Sequence, residues 1–143
     1  MTAPPSPHPA PHRVAPPGHE LELRVVPMPA DLNGNGDVFG GWVMAQVDIA
    51  GGIAAARRAR GRVATVAVNA FQFKQPVSVS DVLSFYTRIE SVGRTSVTVH
   101  VDVIARRDPA APFDVRVTDA TLTYVAIDRE GRKRAVDPDR VDT

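Results

Sequence analysis

The stretch Asn33–Arg60, NGNGDVFGGWVMAQVDIAGGIAAARRAR, decides how this chain folds, because a glycine-rich turn runs directly into a long apolar segment carrying one acid. Asn33, Gly34, Asn35 and Gly36, with Asp31 before them, are residue types that tolerate positive φ, so a turn is expected there. A helix should follow from near Val38 or Phe39 to Arg60. Arg57, Arg58 and Arg60 suit the negative end of its dipole, and Gly61 suits a C-terminal cap. Between Val38 and Ala56 only Gln46 and Asp48 are neither apolar nor glycine, which predicts a helix buried on most sides. Asp48 must then justify its position. Stripping water from a carboxylate costs several kcal/mol unless partners compensate, so a buried acid is a candidate for proton chemistry. A structural aspartate bonded to neighbouring backbone is the alternative reading.

Outward from the helix, Glu20–Val26 (ELELRVV) alternates apolar and polar residues and reads as a strand that Pro27 and Pro29 end. On the C-terminal side, four further strands are expected: Val63–Phe73, Val82–Ser91, Ser96–Arg106 and Val115–Asp128. The third of these is the clearest. Val97, Val99, Val101 and Val103 share one face, which should pack on the helix, while Thr98, His100 and Asp102 share the other. Short turns at 76–80, Gly93-Arg94 and 108–112 suit antiparallel neighbours. One strand, one long helix and four strands predict an α+β domain in which an antiparallel five-stranded sheet curls around the helix. Such a sheet keeps open edges, so two copies are expected to pair edge to edge. The domain should span 20–130. Residues 1–19, with seven of the thirteen prolines, read as a disordered or polyproline-like tail, and 131–143 as a charged tail that frays.

Composition narrows the chemistry. The 143 residues are 43% hydrophobic, enough for one domain with a real core, and the net charge of +1 supplies no global field for nucleic acid or an anionic membrane. Cysteine is absent, which excludes disulfides, thiolate nucleophiles and thiolate metal sites. Of four histidines, His8, His12 and His19 fall in or beside the proline-rich segment and only His100 in the expected fold. A histidine triad or multi-histidine metal site is therefore not expected. With no leader pattern and no apolar run of membrane-spanning length, a cytoplasmic location is expected.

The glycines need separate treatment. Gly34, Gly36, Gly40 and Gly41 do not make a dinucleotide fingerprint, since Phe39 stands where the third glycine belongs and later strands do not alternate with helices. A phosphate loop fails because Trp42 follows Gly41 where lysine is required. Gly40 and Gly41 instead fall in the first helical turn, whose N–H groups lack intrahelical acceptors, and such amides can polarise a carbonyl oxygen. Close packing against a strand would explain the same two glycines.

Taken together, NGNGDVFGGW (33–42), Gln46-Val47-Asp48, GRVATVAV (61–68) and Gly93-Arg94-Thr95-Ser96 closely resemble the hotdog-fold acyl-CoA thioesterases, above all the short bacterial YciA-like members, over roughly residues 25–130. The resemblance implies hydrolysis of acyl-CoA to free acid and CoA without a cofactor or metal. It implies that Asp48 is the general base or nucleophile, that Asn33 helps hold water or substrate, and that the Gly41 amide binds the thioester oxygen. It also places Gly93, Arg94, Thr95 and Ser96 along the CoA, with Arg62 and Lys74 as further cations near it. A homodimer with its site at the interface, assembled into a hexamer as a trimer of dimers, is implied as well. Apart from the resemblance, Gly93–Ser96 reads as an ordinary hairpin turn, and Arg62 and Lys74 as solvated charges. The chain departs from the nearest relatives at Asn69, where they carry an acid, and at Gln75, where they carry a lysine that here stands one position earlier as Lys74.

Two rivals use the same fold. A non-catalytic acyl-CoA sensor usually brings a DNA-binding segment, and the proline-rich tail is unsuited to a helix-turn-helix. A hydratase generally pairs its acid with a histidine, for which only His100 is available.

Overall fold

The long apolar helix lies across one face of a single antiparallel sheet in the computed structural model, which describes residues 15–138. In chain order the elements are β1 (Glu20–Val25), a short 3-10 turn (Pro29–Asp31), α1 (Gly40–Ala59), β2 (Val63–Phe73), β3 (Val82–Val92), β4 (Ser96–Arg107) and β5 (Phe113–Ala126). The spatial order is β1-β3-β4-β5-β2, with every neighbouring pair antiparallel. The valine face of β4 packs as expected: Val97, Val99, Val101 and Val103 are fully buried, together with Val43, Val47, Ala50 and Ala55 of α1. Small side chains at 50, 54, 55 and 59 let the helix lie close to the strands, and burial of this interface drives the fold.

Four expectations change. The helix is buried on one face only: Val43, Val47, Ala50, Gly51, Ala54, Ala55 and Ala59 are covered, whereas Met44, Ile49 and Ile53 are exposed. One sheet can cover only one side of a helix, so the remaining apolar side chains stay open on this chain. At the C-terminus of α1 the left-handed residue is Arg60 (φ 54°), not Gly61. A Cβ at Gly61 would lie 2.6 Å from Arg134 Nη2, so a larger residue there would displace the guanidinium that donates to the Ala59 carbonyl at 2.8 Å.

The connection after β2 is a crossover rather than a hairpin. It carries the chain past the ends of β5 and β4 to β3: Lys74 N–H donates to the Val117 carbonyl at 2.8 Å, and Arg107 Nη2 donates to the Pro76 carbonyl at 2.6 Å. Arg107 also pairs with Asp81, which is buried. Residues 131–137, read as part of a charged tail that frays, pack against the domain. Lys133 bridges to Ile127, Val136 is buried, and Arg58 holds Asp137 through two hydrogen bonds of 2.8 and 3.0 Å. The proline-rich stretch before residue 15 lies outside the described residues.

Candidate active site

Asp48 sits in the middle of α1, half-buried, on the edge of the helix that faces β2. Thr65 of β2 and Tyr124 of β5 are direct cross-strand partners, so their side chains leave the sheet on the same face. Both reach the acid. Thr65 Oγ1 donates to Asp48 Oδ1 at 2.7 Å, and the Tyr124 hydroxyl lies 3.1 Å from the same oxygen and 2.9 Å from the Asp48 carbonyl oxygen. One carboxylate oxygen is thereby held by two hydroxyls, which fixes the direction of the other. Sequence reasoning missed both hydroxyls. Nothing in the strand pattern distinguishes Thr65 or Tyr124 from other residues of a half-buried sheet.

Tyr124 reaches beneath the helix because Gly51 has no side chain. A Cβ at position 51 would lie 2.3 Å from the Tyr124 oxygen. Burial pushes the Tyr124 hydroxyl well above its ordinary pKa, and the charge and hydrogen bond of Asp48 push in the same direction. The sign for stability follows: a folded-state value raised above the unfolded one leaves stability intact below pH ~10 and erodes it as pH rises beyond that. Denaturant titrations of wild type and Tyr124→Phe between pH 8 and 11 should show this. Wild-type stability should fall with pH more steeply than that of the variant, and parallel curves would remove the buried-phenol account.

The other residues singled out by sequence fall into three places. Gly41 shares an open cleft of about 380 Å³ with Asp48, Met44, Thr65, Phe71 and Leu122. A Cβ at Gly41 would meet nothing within 4 Å, so its backbone faces open space. Trp42 and Val43 N–H groups both turn back to the Phe39 carbonyl, at 3.1 and 3.3 Å, as the first turn closes.

Asn33 and Lys74 line a second cleft, of about 330 Å³, with Asp37, Gly40, Phe73 and Gln75. The Asn33 side-chain oxygen accepts the N–H groups of Asn35 (2.8 Å) and Asp37 (3.2 Å). That oxygen is committed to the turn, so the side-chain NH₂ is the part of Asn33 able to meet a substrate.

The third group lies at the opposite end of β2. Gly93–Ser96 forms the β3–β4 hairpin, closed by Gly93 N–H to the Ser96 carbonyl at 2.8 Å. The Thr95 carbonyl accepts Ala126 N–H at 2.8 Å and the Arg94 carbonyl accepts Val136 N–H at 2.8 Å. Arg62 joins this end through Ile127 N–H to its carbonyl at 3.0 Å, while its guanidinium donates to the Arg129 carbonyl at 3.1 Å. A single chain therefore brings Gly41 to Asp48 and Arg62 to the Gly93–Ser96 turn, but lines different clefts with Asn33 and Asp48.

A larger cleft, about 740 Å³, opens between the end of α1, β1 and β3. Of the four arginines that line it, Arg57, Arg58, Arg60 and Arg88, the first two are paired, with Glu20 and Glu22 and with Asp137. The Asp48 cleft is the better candidate because an acid, two hydroxyls and a helix N-terminus converge there. Beside it runs β2, an edge strand whose Val66, Val68 and Phe73 are exposed, continuous with Met44 of the helix.

Comparison with known proteins identifies the relatives of this chain. The family model described as thioesterase superfamily matches residues 35–111. The acyl-CoA thioester hydrolase YciA of Escherichia coli is 45% identical over 122 residues, covering 84% of this chain and 92% of that protein. A relative in Haemophilus influenzae, named an uncharacterised acyl-CoA thioester hydrolase, is 46% identical over 118 residues, covering 81% and 77%. Among solved structures, an aspartate-to-alanine mutant of a hexameric broad-specificity acyl-coenzyme A thioesterase superposes with a TM-score of 0.80 at 42% identity, over 84% of this chain and 88% of that one.

Proposed function

The chain belongs to the thioesterase superfamily and has its hotdog fold, and on that premise we propose that it hydrolyses acyl-CoA to the free acid and CoA with Asp48 at the reacting centre. The observation that carries this reading is the carboxylate held through Oδ1 by Thr65 and Tyr124 in a cleft shared with Gly41. Oδ2 is then the oxygen that takes a proton from water, or attacks the carbonyl itself. The Gly41 amide, at the positive end of the helix, stabilises the charge that develops on the thioester oxygen. A thioester is already activated, so polarisation plus one positioned water is sufficient, and no cofactor is needed.

Asn33 acts from the neighbouring copy. Its NH₂ group, which lines a separate cleft on its own chain, is brought to Asp48 when two chains pair along their β2 edges. That pairing also covers the exposed Val66, Val68 and Phe73. Arg94, Thr95 and Ser96, with Gly93 allowing the turn, meet the phosphates and pantetheine of CoA, and Arg62 and Lys74 add positive charge at the two ends of β2. We assign the assembly as a hexamer built from three such dimers, like the hexameric thioesterase it superposes on. No helix among the described residues is long and apolar enough to cross a membrane, and the cytoplasm, where acyl-CoA is made and used, is the proposed location.

The test joins assembly to turnover. Wild type should release free thiol from a panel of acyl-CoAs and migrate as an oligomer in size-exclusion chromatography. Val68→Lys, which places a charge on the pairing edge, should migrate as a smaller species and release thiol far more slowly. A fully active monomer would sink the interface site, and absence of thiol release from every acyl-CoA would sink the hydrolase.

A further inference from the structure

On the sheet face opposite the helix, the structure assembles a cluster that plays no part in the proposed hydrolysis. His100 of β4 points away from α1, between the buried Val99 and Val101 that point toward it. His19, at the entrance to β1, folds back onto it: His19 Nε2 lies 2.8 Å from His100 Nδ1, the rings meeting edge-on with centroids 5.1 Å apart. Asp102, two residues along β4 on the same face, brings Oδ2 to 3.6 Å from His19 Nε2. The sequence reading left His19 in the proline-rich segment and so discounted a multi-histidine site. The chain reverses at Pro16–His19, where His19 N–H donates to the Pro16 carbonyl at 3.0 Å, and this turn delivers the second imidazole.

The outer ring nitrogens are already committed. His19 Nδ1 lies 2.9 Å from the Pro17 carbonyl, which can only accept, so this nitrogen carries the hydrogen. His100 Nε2 lies 2.5 Å from Asp119 Oδ1, and a carboxylate likewise takes the hydrogen from that side. Both inner nitrogens, His19 Nε2 and His100 Nδ1, are then left with lone pairs that face each other. Two lone pairs at 2.8 Å repel unless a proton or a cation lies between them. The side chains around them are largely shut from water, with exposures of 6% for His19, 16% for His100 and 2% for Asp102. Asp102 Oδ1 is buried and has no hydrogen-bond partner among the described residues, while Oδ2 accepts from Arg116 Nη2 at 3.3 Å.

We propose that His19, His100 and Asp102 are three ligands of a divalent transition-metal site of the zinc class, with Asp119 and the Pro17 carbonyl orienting the two imidazoles. The donor atoms all lie within 4.8 Å of one another. Two nitrogens bound tetrahedrally at 2.0–2.1 Å from zinc stand about 3.3 Å apart, so a shift of about half an ångström in the His19 ring converts the contact into a chelate. Two imidazoles and a carboxylate suit zinc, and the outer hydrogen bonds to a carboxylate and a backbone carbonyl are the arrangement that fixes a ligating tautomer. Water completes the coordination. The metal would tie the entrance of β1 to the middle of β4, on the far side of the sheet from Asp48.

Zinc alone, titrated calorimetrically into the chelator-stripped full-length protein, tests this. Wild type should take up one equivalent per chain. His19→Gln and His100→Gln should lose that uptake, and Asp119→Asn, which removes an orienting group without removing a ligand, should bind roughly 10- to 100-fold more weakly. His8→Gln with His12→Gln should bind like wild type. No uptake by wild type, undiminished uptake by His19→Gln, or uptake lost in the His8/His12 variant would each overturn the assignment.

Discussion

Asp48→Asn is expected to lower kcat for acyl-CoA hydrolysis by about 10²–10⁴-fold, the usual contribution of a positioned proton-transfer group, with little change in KM. Asparagine keeps the shape of the side chain, and its carbonyl oxygen still accepts from Thr65 and Tyr124 as Oδ1 does. What it loses is the ability to take a proton or to attack. At 1.36 kcal/mol per tenfold, the loss corresponds to about 3–5 kcal/mol of transition-state stabilisation, far more than a surface substitution costs in stability. Thiol-release kinetics, with thermal unfolding to show that the variant folds, separate the two effects. Equal rates in wild type and variant would remove Asp48 from the chemistry. A single turnover in ¹⁸O-water tests for direct attack: label in Asp48 requires a covalent anhydride opened by water at the Asp48 carbonyl, whereas general-base attack by water puts label in the acid product alone.

Gly51→Ala is expected to be the most damaging single methyl addition on the helix. Alanine in place of glycine inside a helix ordinarily stabilises by about 1 kcal/mol, so propensity alone predicts a gain. Here the new Cβ would lie 2.3 Å from the Tyr124 oxygen, 3.1 Å from Cζ and 3.2 Å from Cε2. A fully buried ring has little room to yield, and overpacking of this kind costs about 1–3 kcal/mol. The clash should win, giving net destabilisation. It should also lower kcat, because moving Tyr124 takes away one of the two hydroxyls that hold Asp48. The contrast is Gly52→Ala, whose Cβ would stand 3.6 Å from the same ring, an ordinary contact, and which should be neutral or stabilising. Adding Tyr124→Phe to Gly51→Ala should recover part of the lost stability by removing the atom at 2.3 Å, without recovering turnover. Chemical denaturation of wild type, Gly51→Ala, Tyr124→Phe and the double variant measures the coupling, and a Gly51→Ala variant as stable as Gly52→Ala would refute the packing argument.

Much of this molecule was legible in its sequence. The Val97–Val103 alternation placed β4 and its buried face, because a period of two commits every second side chain to the same side whatever the strand pairs with. Asp48 stood out for an equally local reason, as an acid inside an apolar run. The burial expected for it was overstated. An apolar helix predicts that its faces will be covered, but not by what, and one sheet covers only the face carrying Val43, Val47 and Ala50.

Other features depend on distances between segments remote in the chain. That β2 forms an edge, beyond β5 and far from β3, follows from the crossover pinned by Arg107, and no turn residue at 76–80 announces it. Thr65 and Tyr124 meet Asp48 because antiparallel register sets them opposite each other, 59 positions apart by their numbers, beneath a helix thinned at Gly51. His19 reaches His100 only because a turn folds the end of a proline-rich segment onto the sheet.

The sequence by itself therefore determined the element types, the buried valine face, the family and the acid proposed for the reaction, all of which are encoded by periodicity and by residue types close together in the chain. Tertiary structure alone decided which hydroxyls orient that acid, which apolar faces stay open for a second copy, and which imidazoles come together. Those are properties of register and of crossing chain segments, where the free energy depends on contacts between residues that share no local pattern.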